Sequence, residues 1–242
     1  MGEAQALRLP GLVLSGAVTL EIYLIRHGDS EINRLQASRP PGRRLLCGRN
    51  TYSELTPRGV RQAAALGRTL AAGGLAPADF NRLVASTAVR AQQTARYCVA
   101  AMVGSRAPYA DFGRIEVAAE LAELSQGRLE GQPRGPVQRK LAVLRQTPNR
   151  LWTFRAAPDA ESQRDVYRRA ARWLAHNALG RGYRRLALFT HENVIKCLIA
   201  GLFGLSSEEA FRLRVPNAAC TILGYRGRRL LAATGPDFHY RK

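Results

Sequence analysis

At 242 residues, with 46% hydrophobic and 23% charged side chains, the chain has the composition of one sizeable globular domain. No apolar run reaches the roughly 18 residues of a membrane span, and Cys47, Cys98, Cys197 and Cys220 have neither CxxC nor zinc spacing. The net charge of +19 and pI near 11.1 are unusual, and lysine occurs only at Lys140, Lys196 and Lys242, every other basic residue being arginine. This excess has two readings, a coding bias toward arginine or a polyanionic or phosphorylated partner. The arginines lack the interleaved aromatics of a nucleic-acid platform, which makes nucleic acid an unfavoured partner.

The N-terminus has no basic region followed by an apolar core, and Ala6 stands where a myristoylation signal needs Ser or Thr. A soluble, cytoplasmic protein with reduced cysteines is expected. Residues 1–17 read as an N-terminal extension and residues 18–242 as a single domain.

In chain order, Val18 to Ile25 is apolar and β-branched, the pattern of a buried strand. It stops in Arg26-His27-Gly28, where glycine permits a tight turn and close approach to the backbone. Asp29 or Ser30 can cap a short helix through Asn33. Residues 34–52, rich in Pro, Gly and Arg (Arg34, Arg39, Arg43, Arg44, Arg49), read as a loop. Thr56 and Pro57 open a helix expected to reach Ala72 and stop at Gly73-Gly74. Arg82 to Ser86 is a short buried strand, and Ser86 or Thr87 caps a helix over 88–102. Residues 103–114 read as irregular, 114–117 as a strand, and 127–136 as a Gly/Pro-rich stretch. Helical periodicity returns at 137–146 and 160–178. Arg185 to Thr190 is another buried strand, followed by His191-Glu192-Asn193 and a helix over 194–203; residues 219–225 close the sheet. Strands alternating with helices predict an α/β fold, a three-layer α/β/α sandwich on a mostly parallel sheet.

Of the four histidines, two stand at strand ends, His27 and His191, each followed by a helix. Open α/β sheets bind ligands at that edge. His176 and His239 are expected to be solvated. Arg90 follows a third strand end by four residues.

These residues carry a resemblance. The chain resembles the histidine phosphatase superfamily, with its phosphoglycerate mutase-like fold, in blocks that keep the family's order over roughly residues 20–225. They are Arg26-His27-Gly28 with Ser30 and Asn33, then Leu55-Thr56-Pro57-Arg58-Gly59-Val60-Arg61-Gln62-Ala63, then Ser86 to Ala95 around Arg90. Leu121 to Gly131 around Glu123, Glu161-Ser162 and Thr190-His191 complete the set. The resemblance implies in-line attack by His27 on phosphorus, a phosphohistidine intermediate, and hydrolysis of that intermediate by water. Arg26, Arg90 and His191 would hold the equatorial oxygens, where transition-state charge collects, and would keep His27 neutral. Ser30, Asn33 and the Asn193 amide at a helix N-terminus would add substrate contacts. Glu123 would be general acid and then base, with Glu120 and Glu130 as nearby competitors for that role. No metal and no cofactor are implied.

Three departures stand out. Glu192 replaces the glycine usual after the second histidine and is expected to turn away or to contact a substrate hydroxyl or amine. Ala160 replaces a glycine before Glu161-Ser162. The loop over 34–52 is longer than usual, and reads either as a solvated flap or as a lid selecting an anion. The leading expectation is a phosphomonoesterase for a small phosphorylated metabolite such as a sugar, nucleotide or cofactor-precursor phosphate. A phosphoglycerate mutase and a non-catalytic binder of phosphorylated ligands or nucleic acid are the alternatives. Specificity is expected in residues 34–52, 103–114 and 125–158; the oligomeric state is not readable.

Overall fold

The computed structural model describes residues 17–105, 115–144 and 150–241. Its centre is β1, Leu20–Arg26, whose first six residues are buried. Ile22 and Leu24 point to one face of the sheet and Tyr23 and Ile25 to the other, following the two-residue period of a strand. The first pair packs with Trp173, Leu174, Ile195 and Leu198. The second packs with Leu66, Leu70, Cys98 and Val99. Each fully buried aliphatic side chain contributes about 1.5–3 kcal/mol, and both faces of β1 collect that term. The result is three layers: α6 (Gln163–Asn177) and α7 (Glu192–Phe203) on one side, α2 (Pro57–Ala72) and α3 (Val89–Met102) on the other.

The sheet has seven strands in the order β3-β2-β4-β1-β5-β6-β7. They are β2 (Arg82–Ala85), β3 (Ile115–Val117), β4 (Arg185–Thr190), β5 (Cys220–Arg226), β6 (Arg229–Gly235) and β7 (Phe238–Arg241). The β3-β2-β4-β1 run is parallel, and β5, β6 and β7 add antiparallel pairs. Register matters most for function. Arg26 lies opposite Thr190 and Phe189 opposite Ala85, so the three parallel strands end level with one another. The next residues in each chain, His27, His191 and Ser86, therefore leave the sheet at one edge.

Local chemistry explains most boundaries. Thr56 caps α2 by accepting from the Gly59 amide at 3.1 Å, with Pro57 at the first helical position. The same hydroxyl donates to Asp29 Oδ2 at 2.7 Å, tying α2 to the turn after β1. Ser30 is the residue before α1 (Glu31–Ser38), which takes up part of the stretch expected to be a loop from residue 34. The helix starts where its cap was expected, and the Arg- and Pro-rich composition hid only its continuation past Asn33, because α1 buries no side chain. Its Glu31 amide donates to the Glu54 carbonyl and its Ile32 amide to Ser53 Oγ. Neither Ser86 nor Thr87 precedes α3 directly; the flanking residue is Ala88. Helix α6 begins at Gln163, later than expected, because Ser162 caps it by accepting from the Asp165 amide. Helices α4 (Gly135–Leu144), α5 (Arg150–Thr153) and α8 (Ser207–Arg212) complete the described set. The expected N-terminal extension falls on residues 1–17, of which 1–16 lie outside the described residues, as do 106–114 of the irregular stretch.

The segment carrying Arg44 and Arg49 is pinned across the C-terminal edge of the sheet. Leu46 exchanges backbone bonds with Gln132 and Gly131, and the Arg134 amide donates to the Arg44 carbonyl at 2.7 Å. Glu130 accepts from the amides of Gly48, Arg49 and Gln126. The segment, called the lid below for its place over the cavity, is fastened rather than free.

The turn after β1 and the first turn of α2 touch backbone to backbone. A Cβ at Gly59 would lie 1.9 Å from the Asp29 carbonyl oxygen, and one at Gly28 would lie 2.6 Å from the Gly59 oxygen. Gly59→Ala must push the two apart. We expect a loss of about 1–3 kcal/mol, read as a lowered urea midpoint with an unchanged slope.

Candidate active site

His27 is buried, and its ring is oriented at both nitrogens. Nδ1 lies 2.7 Å from the Gly28 carbonyl and Nε2 lies 3.1 Å from Arg90 Nε. A carbonyl only accepts and a guanidinium only donates, so Nδ1 carries the proton and Nε2 the lone pair. Arg90, 3% exposed on the first turn of α3, also reaches His191 Nδ1 at 3.3 Å and the Gly48 and Asn50 carbonyls. The same logic makes His191 Nδ1 an acceptor and Nε2 the donor to Ser86 Oγ, 2.7 Å away. Burial is the main cause that drives both imidazole pKa values well below the ordinary histidine value. The Arg90 and Arg26 charges add to it in both cases. Both rings are neutral at physiological pH.

Backbone contacts fix the height of His27. The His27 amide donates to the Thr190 carbonyl at 3.0 Å, and the His27 carbonyl accepts from Ala218 N and Asn217 Nδ2. Thr94, one turn beyond Arg90, accepts from the Gly28 amide at 2.9 Å and donates to the Arg90 carbonyl.

His27 opens into a cavity of about 410 Å³. Arg26, Asn33, Arg90, Glu123, Glu192, Asn193 and Lys196 line it near the histidine. Burial lifts the Glu123 carboxyl above the usual carboxylate range, and the Glu192 charge adds to that. The Leu124 amide, Arg90 and Asn193 oppose it without reversing it. Glu123 therefore holds its proton more readily than a solvated glutamate. The two neighbouring carboxylates stand elsewhere. Glu120 is exposed, and Glu130 serves the lid amides.

The structure brings His27, Arg26, Arg90, Glu123, Asn33 and Asn193 to one cavity. His191 sits behind it, fully buried, its ring centroid 5.2 Å from that of His27. Ser30 does not reach it: its amide and hydroxyl both donate to Asn33 Oδ1, at 3.2 and 2.8 Å. That leaves the Asn33 amide group as the donor facing the cavity. Glu192 does not turn away: it lines the cavity and pairs with Arg26 Nη1 at 3.0 Å and Lys196 Nζ at 2.7 Å. His176 and His239 are exposed, as expected.

Residues 34–52 and 125–158 supply the outer walls, including Arg44, Leu46, Arg134, Leu141 and Phe154. Of residues 103–114, the described ones, 103–105, are not among the lining residues. Asn217, Lys196 and Phe211 complete the site without having been assigned to it from the sequence, and Ser86 and Thr94, which fall in the block around Arg90, had been given no part in it. Thr94 and Lys196 were detectable as helical neighbours, at i+4, of Arg90 and Glu192. Asn217 had only its Pro216-Asn217 turn signal. Among the described residues, no group of three or more His, Cys, Asp or Glu could hold a metal ion, and no helix could cross a membrane.

A histidine with a directed lone pair, flanked by arginines at the carboxyl end of a parallel sheet, defines a phosphoryl-handling α/β enzyme class. The family model for the histidine phosphatase superfamily, branch 1, matches residues 22–234, and the chain belongs to that family. "Probable phosphoglycerate mutase GpmB" of Enterobacter sp. (strain 638) is 28% identical over 218 residues, covering 88% of this chain and 89% of that protein. The adenosylcobalamin/alpha-ribazole phosphatase of Escherichia coli K12 is 25% identical over 198 residues, covering 81% and 85%. The crystal structure of a phosphoglycerate mutase from Bacillus anthracis str. Sterne shares the fold. It has a TM-score of 0.68 at 20% identity, over 90% of this chain and 92% of that one.

The buried histidines carry a pH signature. Below the ordinary histidine value the unfolded chain takes up protons at His27 and His191 that the folded chain refuses. Stability must fall as the pH drops through that value. Ring resonances should show both histidines still neutral at about pH 6. Arg90→Gln removes the positive charge and should move both titrations upward.

Proposed function

We propose that the protein is a metal-independent phosphomonoesterase that hydrolyses a small phosphorylated metabolite through a phosphohistidine on His27. The observation that carries this reading is the His27 ring, whose Nδ1 proton is held by Gly28 and whose Nε2 lone pair is held by Arg90, beside a cavity that also takes in Glu123, a carboxyl whose proton burial makes harder to lose. The names of relatives add weight, since a phosphatase is among them.

In the first step Nε2 attacks phosphorus and the ester P–O bond breaks. The departing oxygen takes the Glu123 proton. Arg90 exchanges its bond to Nε2 for a phosphoryl oxygen, while Arg26, the Asn33 amide and Asn193 take the others. Arginine suits this because its planar fork meets phosphate through paired hydrogen bonds. In the second step the Glu123 carboxylate removes a proton from water. Water oxygen attacks phosphorus, the N–P bond breaks, phosphate leaves, and Glu123 is again protonated. Ser30 acts through Asn33, whose oxygen it occupies. We place the reaction in the cytoplasm, consistent with four free cysteines, and treat residues 18–242 as its one domain.

A mutase is the second reading, favoured by the name of one relative. Its mark is phosphoryl exchange that depends on a bisphosphorylated primer, with little free phosphate.

His27→Ala should abolish phosphate release from a panel of sugar phosphates, nucleotides and phosphoglycerates assayed without added metal. Glu123→Gln should slow release from alkyl phosphates by about 10²–10⁴-fold. It should slow the first step with 4-nitrophenyl phosphate far less, because that leaving group needs no proton. An alkali-stable, acid-labile phosphoenzyme should then accumulate. Full activity in His27→Ala would overturn the reading.

A further inference from the structure

Two cations of the cavity share a single carboxylate. Glu192 Oε2 lies 3.0 Å from Arg26 Nη1, and Glu192 Oε1 lies 2.7 Å from Lys196 Nζ. Helix α7 fixes half of this bridge, since Glu192 and Lys196 stand at i, i+4 with the acid toward the N-terminus, the favourable order. The side chains are 16% (Arg26), 17% (Lys196) and 33% (Glu192) exposed, so water screens the bridge less than a surface pair. All three line the same cavity as His27 and Glu123, and the charge of Glu192 is felt at Glu123. The oxygen leaving phosphorus must meet Glu123, so the leaving group lies in the field of Glu192.

We propose that Glu192 is a specificity-determining residue. It selects against esters whose leaving group carries an anion close to the ester oxygen, and for those that present a hydroxyl or an ammonium there. The inference rests on the phosphatase reading of His27 and Glu123.

A phosphoryl dianion offers three oxygens and can draw Arg26 away from Glu192. The carboxylate is then left with Lys196 as a neutral, closed pair. A substrate carboxylate at that place finds Lys196 occupied and Glu192 repelling it. A hydroxyl or ammonium can instead donate to Glu192. Arg44 and Arg134 also line the cavity, from the lid. Their pull on a substrate anion is common to the wild type and the variants below, so the comparison isolates Glu192.

The test compares kcat/KM for glycerol 3-phosphate and 3-phosphoglycerate, which share a three-carbon skeleton and differ by a hydroxymethyl against a carboxylate. The wild type should favour glycerol 3-phosphate. Glu192→Gln should shift the ratio toward 3-phosphoglycerate by about tenfold, mostly through KM, as expected for one unit charge partly withdrawn from water. Adding Lys196→Met to Glu192→Gln should reverse the shift, because Lys196 is the cation that the variant releases. A merely structural Glu192 would change both substrates alike, and an unaltered ratio overturns the proposal. Absence of phosphate release from both esters, and from every other ester tried with wild type, would instead overturn the phosphatase reading. The role of Glu192 is then decided by calorimetric Kd values for the same two compounds. The same relative gain for 3-phosphoglycerate in Glu192→Gln supports it, and parallel changes sink it.

Discussion

A buried guanidinium that can only donate sets the terms for everything around it. Arg90 carries a charge at a position 3% exposed to solvent, and an unsatisfied cation there would be costly. Its partners are four: His27 Nε2, His191 Nδ1, and the carbonyls of Gly48 and Asn50. The two imidazoles must therefore present lone pairs to it and place their protons elsewhere, on Gly28 O and Ser86 Oγ. One buried charge thus selects two tautomers, keeps both rings neutral, and draws the lid residues Gly48 and Asn50 over the cavity. In the proposed reaction, the donor that orients His27 Nε2 is also a group that would receive a phosphoryl oxygen.

That guanidinium could not do this without the level ends of three strands. The register of β1 on β4 and of β4 on β2 brings His27, His191 and Ser86 to one edge. Each strand is then followed by a helix that supplies a second residue, Asn33 on α1, Arg90 on α3 and Asn193 on α7. The glycines at 28 and 59 let the first turn of α2 close against the turn after β1, where a methyl group has no room. The antiparallel strands matter here mainly at one point. The turn entering β5 braces the His27 carbonyl through Asn217 and Ala218 and the Arg26 amide through the Ala219 carbonyl.

What could be read beforehand follows from the range of the interactions concerned. β1, β2 and β4 are buried on both faces and read as apolar runs; α2 has a capping threonine, a first-turn proline and two terminal glycines. Those signals are local. Strand β6, Arg229–Gly235, is rich in alanine, follows a turn made at Gly227, and owes its existence to pairing with β5, so no local pattern announced it. The start of helix α1 was announced by its cap at Ser30, but its last residues, 34–38, bury nothing and were hidden in an arginine- and proline-rich stretch. In the cavity, Arg26, His27 and Arg90 were recognisable by type and by their place at or just after strand ends. Ser30 was recognisable too, but its contact was not, because its bonds to Asn33 depend on the cap geometry. Ser86 looked like a helix cap and is instead the partner of a histidine 105 residues later.

The net charge of +19 suggests a molecule open to any polyanion, yet the inner cavity is electrically reserved. Glu161 holds Arg49 and Arg169, and Glu192 holds Arg26 and Lys196. A weak anion gains little by displacing a carboxylate already seated in good geometry, since it must break one charge-assisted bond for each it forms. A phosphoryl dianion differs, because its several oxygens can satisfy Arg90, Arg26 and the two asparagines together while releasing Glu192 to Lys196. The outer arginines raise the local concentration of anions, and the inner carboxylates discriminate among them. Attraction at the surface and selectivity beside His27 are thus separate properties, the first produced by exposed arginine outside and the second by carboxylate-paired arginine within.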